Sequence, residues 1–279
     1  MLDAIVKQAL DALPLALVAS TPLLLAVQGE LVVQRSGIIN LGIEGMMLVA
    51  ALAAALSAHA TGSVTLGFAG GIAGAALVAL LFGLFTIVLR ADQIVTGTAI
   101  NLLAAGATTF VYRELQPDAP LPRLAFDPIV PLAWLVFPIA LGVMLWNTSF
   151  GLRLRAAGEN PEAVASTVRS HRAAALLVEA VLAGLAGAYL SLGLSSGFAE
   201  NMTAGRGFIA LSIVIFGRWS VKGALAGTAI FGLAAVTQYT LQASTGVSYH
   251  LLLAVPYVVT LLILCGVAGR VRAPESLGR

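Results

Sequence analysis

Two polar side chains interrupt an apolar stretch near the start of the chain, and their types are those that contact solutes inside a membrane protein. Asn40 and Glu44 lie four residues apart in the segment 34–45, so a helix would place both on one face. An ionisable group inside a membrane span costs about 2.5–3.5 kcal/mol on insertion scales and by default indicates function. Both residues are therefore candidates for a substrate path. The structural alternatives are that Asn40 caps the following helix and that Glu44 pairs with Arg35.

A second set of polar residues predicts hydrogen bonding further along the chain. Thr98 lies three residues before Asn101, and Thr108 lies seven after it, so a helix brings them to one face. Because an amide donates and accepts at once, Thr98 and Asn101 could bind a hydroxylated solute and join the candidate path residues. Interhelical hydrogen bonding is the alternative. Another acidic group, Glu179, is expected to pair with Arg172.

One pattern would fit covalent catalysis. Gly193, Ser195 and Gly197 match Gly-x-Ser-x-Gly, and His250 begins a later apolar segment; a Ser–His pair makes a nucleophile where the imidazole reaches the hydroxyl, as in rhomboid-type intramembrane proteases. A five-residue match in a glycine-rich chain carries little information. The sequence has no P-loop for ATP and a single cysteine, Cys265. The residues therefore predict a non-catalytic protein with no metal or cofactor of its own.

The composition places these groups in a membrane protein. Of 279 residues, 59% are hydrophobic and 10% are charged, whereas soluble domains have about 45–50% and 25%. The formal net charge is only +2, without a basic block, which argues against a nucleic-acid partner. The chain also has 29 glycines, which allow helices to pack closely in a lipid bilayer.

Apolar windows predict the helices that position the polar groups, since about 20 residues cross a bilayer core about 30 Å thick. The windows are 12–28, 38–58, 66–89, 94–112, 129–146, 173–194, 207–217, 223–242 and 250–267. Residues 1–279 would then form one transmembrane domain of the all-α class. We expect a polytopic bundle of about 8–10 transmembrane helices, with broken or re-entrant segments and two pseudo-repeated halves.

Two glycine-rich interruptions indicate transport. The first, 34–45, contains three glycines beside Asn40 and Glu44; the second, 204–208, opens the shortest window and ends at Phe208. Such interruptions are typical of the broken helices of transporters, and irregular backbone at membrane depth occurs only where it is buried in protein or lines a water-filled path. Phe208 is therefore a further candidate path residue, although lipid or core packing is the commoner role of such a ring.

The positions of Lys and Arg predict the orientation. If the loop 147–172 is cytoplasmic, alternation of the windows puts eleven Lys and Arg residues inside and four outside. This bias agrees with the excess of positive charge in cytoplasmic loops. We therefore expect a multi-pass protein with its C-terminus in the cytoplasm.

The longest polar connection, about 147–172, predicts a contact with a partner protein. Asn160 is a good N-cap and Pro161 suits the first helical position, so a short exposed helix is expected over about 161–168. This helix would insert into a groove of the partner; the alternative is a charged connector that only fixes the topology. The candidate contact residues are Arg153, Arg155, Gly158, Glu159, Asn160, Pro161, Glu162 and Ala163.

Three segments carry a resemblance to a known family. VVQRSGIINLGIEGMMLVAALAA (32–54), GLRLRAAGENPEAV (151–164) and AGRGFIALSIVIFGRW (204–219) resemble permease subunits of ATP-binding-cassette (ABC) importers of the ribose and branched-chain amino acid type. The likeness covers nearly the whole chain and is greatest to the group that serves nucleoside uptake with a basic-membrane-protein type lipoprotein. The sequence departs from the family at Val221, where proline is frequent.

The resemblance implies a function and a set of partners. It implies that residues 158–164 are the coupling helix that contacts a separate ATPase, which binds ATP and Mg, and that this chain binds no cofactor. It further implies a second permease, related but not identical, a substrate-binding lipoprotein, and a place in the bacterial inner membrane. Nucleosides are the expected substrates. Simple sugars, and an ion-coupled secondary transporter with Glu44 and Glu179 as its acidic groups, are the alternatives.

Overall fold

The computed structural model describes residues 2–115, 128–195, 197–244 and 273–278. In these ranges the chain forms ten α-helices: α1 Leu2–Arg35, α2 Ile43–Thr61, α3 Val64–Gly83, α4 Gln93–Leu115, α5 Ile129–Pro131, α6 Phe137–Asn147, α7 Ser149–Glu159, α8 Val168–Tyr189, α9 Arg206–Phe216 and α10 Val221–Ser244. Three π-helical segments extend or join them, at Leu84–Val88, Leu132–Val136 and Leu190–Leu194.

Six helical stretches are long and apolar enough to cross a membrane: Leu13–Arg35, Ile43–Thr61, Val64–Val88, Gln93–Leu115, Ile129–Asn147 and Val168–Leu194. Two shorter apolar helices, Arg206–Phe216 and Val221–Val236, follow them. The chain is thus a multi-pass membrane protein, and the described ranges are helical without strands, as the sequence predicted. The predicted window 250–267 lies outside the described residues, and the pseudo-repeat stays a prediction.

Three helices form the centre of the bundle. In α1, α2 and α8 between 67% and 83% of the apolar window is buried, against 22–28% in the spans that contain α3, α4 and α6. Helix α8 packs against α1, α2 and α3, and α10 packs against α1. Gly187 of α8 lies against the Met47 carbonyl so closely that a side chain would collide with it, and such small residues allow helices to approach in lipid.

Two predicted boundaries are wrong, each for its own reason. The first predicted window ends at residue 28, yet Gln28, Glu30 and Gln34 all lie inside α1 and are almost completely buried. Their polar atoms are enclosed by protein, where an ionisable group is tolerated more readily than in lipid. The second window was opened at residue 38, but α2 begins at Ile43, because residues 36–42 are not helical.

The structure therefore contains two breaks, which we name by their residues. The first interruption is 36–42, between α1 and α2, and the second interruption is 200–205, a run of turns before α9. The predicted second break, 204–208, is displaced, since α9 already begins at Arg206. Gly205, at the N-terminus of α9, has φ +82°, a left-handed conformation that glycine adopts without steric cost.

Candidate coupling surface and buried polar network

The backbone of the first interruption is held by amide side chains of α4. Gln93 Oε1 accepts a hydrogen bond from the Ile39 N–H at 2.7 Å. Asn101 Nδ2 donates to the Leu41 carbonyl at 2.7 Å, while its Oδ1 accepts from the Gly45 N–H at 2.8 Å. The amide of Asn101 thus takes the place of helical partners that the break removes.

Asn40 lies at the centre of this break and is completely buried. Its Oδ1 accepts from the Gly42 N–H at 3.0 Å, and its Nδ2 donates to Glu179 Oε2 at 2.7 Å. The expected cap is therefore wrong in form, because Gly42 is the N-cap of α2 and Asn40 makes a turn just before it. The expected pairing of Glu179 with Arg172 is also wrong, since Glu179 accepts from Asn40 and forms no ion pair among the described residues.

Glu44 joins the two interruptions. Its Oε1 accepts from the Gly205 N–H at 2.8 Å and its Oε2 from the Gly207 N–H at 2.7 Å. A carboxylate is favourable at this position because the first N–H groups of a helix are unpaired and its N-terminus is positive. The alternative of a pair with Arg35 is wrong: Arg35 instead donates to the Trp219 carbonyl and pairs with Glu159.

The other predicted path residues are more accessible. Thr98 is exposed, with its hydroxyl on the Ile94 carbonyl at 2.8 Å. Phe208, in the first turn of α9, is 47% exposed. Thr108 is buried and donates to the Ala104 carbonyl, so the predicted polar stripe does not share one environment along α4.

A buried chain of hydrogen bonds that the sequence did not predict extends from the α9–α10 turn into the bundle. Trp219 Nε1 donates to Gln34 Oε1 at 2.6 Å, and Gln34 Nε2 donates to Glu30 Oε1 at 2.8 Å. The Glu30 carboxyl group is in turn close enough to that of Glu179 to hydrogen-bond with it. The four-residue spacing of Glu30 and Gln34 was a detectable signal, because it places both on one face of α1.

The predicted coupling segment has a different local structure from the one expected. The helix in this segment is α7, Ser149–Glu159, and its N-cap is Thr148, whose Oγ1 accepts from the Gly151 N–H at 3.0 Å. The expected helix 161–168 is wrong. Pro161–Val164 is a single 3-10 turn, and Asn160 makes no side-chain cap. Proline still occupies the first position of that turn, where a missing N–H costs nothing.

The segment presents a polar surface on a fixed base. Gly158 is buried against the Arg35 carbonyl, so closely that any side chain would collide with it. Arg35 Nη1 lies 3.7 Å from Glu159 Oε1. Arg155 donates to the Leu145 carbonyl at 3.0 Å and is half-buried. The exposed residues of the set are Arg153, Glu159, Asn160, Glu162 and Ala163.

The C-terminal residues 273–278 pack on this base. The Ser276 N–H donates to the Gly158 carbonyl at 2.9 Å, and its hydroxyl donates to the same carbonyl at 2.7 Å. The Gly278 N–H donates to the Gly37 carbonyl at 3.0 Å. These bonds place the described C-terminal segment at the same end of the bundle as α7.

The C-terminal end of α4, which contains Arg113, carries an exposed ion pair. Arg113 Nε and Nη2 donate to the two oxygens of Glu200 at 2.8 and 3.0 Å. The hydrogen bond from Arg113 holds the pKa of Glu200 below its usual value. This pair ties the end of α4 to the first residue of the second interruption.

These features define a class of protein: a multi-pass helical membrane protein with broken segments at its centre and a polar surface at one end. The chain belongs to the family of permease components of branched-chain amino acid transport systems, whose family model matches residues 12–264. It is a non-catalytic transport subunit of an ABC importer within the branched-chain amino acid, sugar and nucleoside family. Membership implies an ATPase partner, and permeases of this family usually bind no cofactor.

Relatives with assigned names fall in the same family. The chain is 31% identical to the guanosine ABC transporter permease protein NupQ of Bacillus subtilis, over 95% of this chain and 94% of that protein. It is 31% identical to the nucleoside ABC transporter permease protein NupC of Lactococcus lactis, over 94% and 93%. A Haloferax volcanii relative with the provisional name glucose ABC transporter permease protein TsgC13 is 34% identical over 77% and 73%. No solved structure matches the chain.

Proposed function

We propose that this chain is the nucleoside-conducting permease subunit of an ABC importer. The observation that carries the proposal is its likeness, over 94–95% of its length, to proteins named for guanosine and nucleoside transport. The glucose-named relative covers a smaller share, 77%, and keeps simple sugars as the second candidate. The ion-coupled alternative is set aside because the chain belongs to an ABC family.

The surface at the end of α7 is proposed as the ATPase contact. Its exposed residues, among them Glu159, Asn160 and Glu162, form a polar tip. That tip is supported by Gly158, which is buried against α1. Supporting contacts from α1 and from Ser276 would pass a movement of the tip into the bundle, because a well-packed interior transmits displacement. Arg153, Arg155, Pro161 and Ala163 complete the proposed contact.

The substrate path is proposed to pass beside the two interruptions. Glu44 and Asn101 supply hydrogen bonds to backbone at the interruptions, and Asn40 holds the first one from within. Their role would be to keep irregular backbone stable beside water. Thr98 and Phe208, whose side chains are exposed on helices that pack against α2, would face the substrate.

The remaining parts of the proposal concern the setting. We place the α7 end and the C-terminal segment in the cytoplasm and the Arg113–Glu200 end outside, in a bacterial inner membrane. The ABC ATPase, a second, related but non-identical permease and a substrate-binding lipoprotein would complete the transporter. Residues 1–279 would form one transmembrane domain.

An uptake experiment tests the substrate. Cells that express the complete transporter, and control cells that lack only this chain, are supplied with radiolabelled guanosine or glucose. We expect guanosine uptake only in cells that contain this chain. Unlabelled nucleosides should compete with this uptake, and unlabelled glucose should not. Chain-dependent uptake of glucose, with guanosine not taken up, would assign the transporter to sugars instead.

A further inference from the structure

Two carboxyl groups meet in the interior, between α1 and α8. Glu30 and Glu179 are both 0% exposed. Gly29 permits the approach, since a Cβ on this residue would lie 3.1 Å from both Cα and Cγ of Glu179. The two carboxyl groups are close enough to hydrogen-bond directly. Such a contact needs a hydrogen atom, because two carboxylates are both acceptors.

Each carboxyl group receives a hydrogen bond from a side-chain amide on one of its two oxygens. Gln34 donates to Glu30 Oε1 at 2.8 Å, and Asn40 donates to Glu179 Oε2 at 2.7 Å. Neither amide can be turned round, because its carbonyl oxygen already accepts from an obligate donor. That donor is the indole N–H of Trp219 for Gln34 and the N–H of Gly42 for Asn40.

The second oxygen of each carboxyl group has no such donor. Glu30 Oε2 and Glu179 Oε1 are buried without a hydrogen-bond partner among the described residues. No Lys or Arg in that part of the chain forms an ion pair with either group. Two adjacent buried carboxylates without a cation are strongly unfavourable, and like charges that share a site keep one proton between them. A metal ion would need more ligands, and no three His, Cys, Asp or Glu side chains of the described residues form such a group.

We propose that Glu30 and Glu179 bind one proton, held between Glu30 Oε2 and Glu179 Oε1, and that this proton-binding site fastens α1 to α8 behind the first interruption. The site then carries one negative charge, which the amides of Gln34 and Asn40 stabilise at Glu30 Oε1 and Glu179 Oε2. Asn40 is thereby fixed by the site, and so is the non-helical backbone on which it lies. The proposal is independent of the transported substrate.

Infrared spectroscopy tests the site, because a protonated carboxyl has a C=O stretch distinct from that of a carboxylate. The complete transporter in lipid nanodiscs is measured at neutral pH in H2O and in D2O. We expect a deuterium-sensitive band of one protonated carboxyl group that is absent from both Glu30→Gln and Glu179→Gln. In each variant the new amide donates to the remaining carboxyl, which then has no need of the proton.

Glu44→Gln is the matched control, since it removes a carboxylate that already has two N–H donors, and it should leave the band unchanged. Absence of the band from the wild type would show two ionised groups and overturn the proposal without any variant. If the wild-type band had the intensity of two protonated carboxyl groups and each single variant lost only half of it, each glutamate would bind its own proton, and the proposal would be overturned as well. If one variant does not fold, the other decides between these outcomes.

Discussion

The two interruptions differ in how their backbone is held. The first has hydrogen bonds from Gln93 and Asn101 on α4, and its own Asn40 reaches α8. The second is held by the carboxylate of Glu44 on α2 and by Arg206, which donates to two carbonyls of the interruption itself, and it has an exposed ion pair at Glu200. A break with more buried hydrogen bonds is the more costly to displace. We therefore expect the first to act as the fixed part of the bundle and the second as the part that moves more easily.

The largest effect should follow from removing Asn40. Asn40→Ala leaves the Gly42 N–H and Glu179 Oε2 buried without partners, and each unsatisfied buried group costs about 1–3 kcal/mol or more if charged. We expect a loss of about 2–6 kcal/mol in the free energy of unfolding on that basis, measured by denaturant titration in detergent. Asn40→Asp keeps the acceptor for Gly42 but loses the donor to Glu179, so it should be no less damaging. A stable Asp variant would show that the amide is not needed as a donor.

A smaller effect is expected at the second interruption. Glu44→Ala removes two hydrogen bonds to N–H groups of α9, and bonds to charged groups contribute about 1.5–3 kcal/mol each before water replaces them. Glu44 is 8% exposed, so water reaches it in part, and we expect a loss of roughly 2 kcal/mol in the same titration. Glu44→Gln keeps one acceptor and should lose less. If Glu44→Ala cost more than Asn40→Ala, the order of the two interruptions would be reversed.

The smallest effect concerns the exposed ion pair between Arg113, at the C-terminal end of α4, and Glu200. Because Arg113 lowers the pKa of Glu200, the pair stabilises the fold at pH values above the usual glutamate pKa of about 4.3. This stabilisation is lost as the pH falls through the lowered pKa. On acidification, the thermal unfolding temperature of the wild type should therefore fall slightly more than that of Arg113→Met. The same acid dependence in both proteins would mean that the pair contributes nothing to stability.

The comparison also shows which parts of the structure could be predicted from sequence. The first interruption, the approximate place of the second and most spans were predicted because glycine clusters and apolar runs are local features. Their partners were not, since Asn40 meets Glu179 across 139 positions and Glu44 meets Gly205 across 161. A single sequence without pairing information cannot reveal which distant helix faces a polar group.

Two errors have more specific causes. The first predicted window ends at residue 28, whereas α1 continues through Glu30 and Gln34 to Arg35, because polarity along the sequence does not distinguish a membrane surface from a protein interior. The helix predicted at 161–168 rested on Asn160 and Pro161, whereas the cap with a hydrogen bond is Thr148, at the start of α7. Both motifs fit the rules for helix starts, and packing against α1 decides between them.

The central claim, that a separate ATPase acts on the permease through the surface at the end of α7, is tested most directly by Glu162→Arg. This residue is exposed, so the reversed charge leaves the fold intact. Glu200→Arg is the control, since it reverses another exposed carboxylate, the one that pairs with Arg113 at the C-terminal end of α4. In proteoliposomes with the second permease, the ATPase and the binding lipoprotein, we predict that Glu162→Arg abolishes both retention of the ATPase and ATP-dependent guanosine uptake, while Glu200→Arg retains the ATPase. Full retention and uptake with Glu162→Arg, or uptake without any ATPase, would contradict the account.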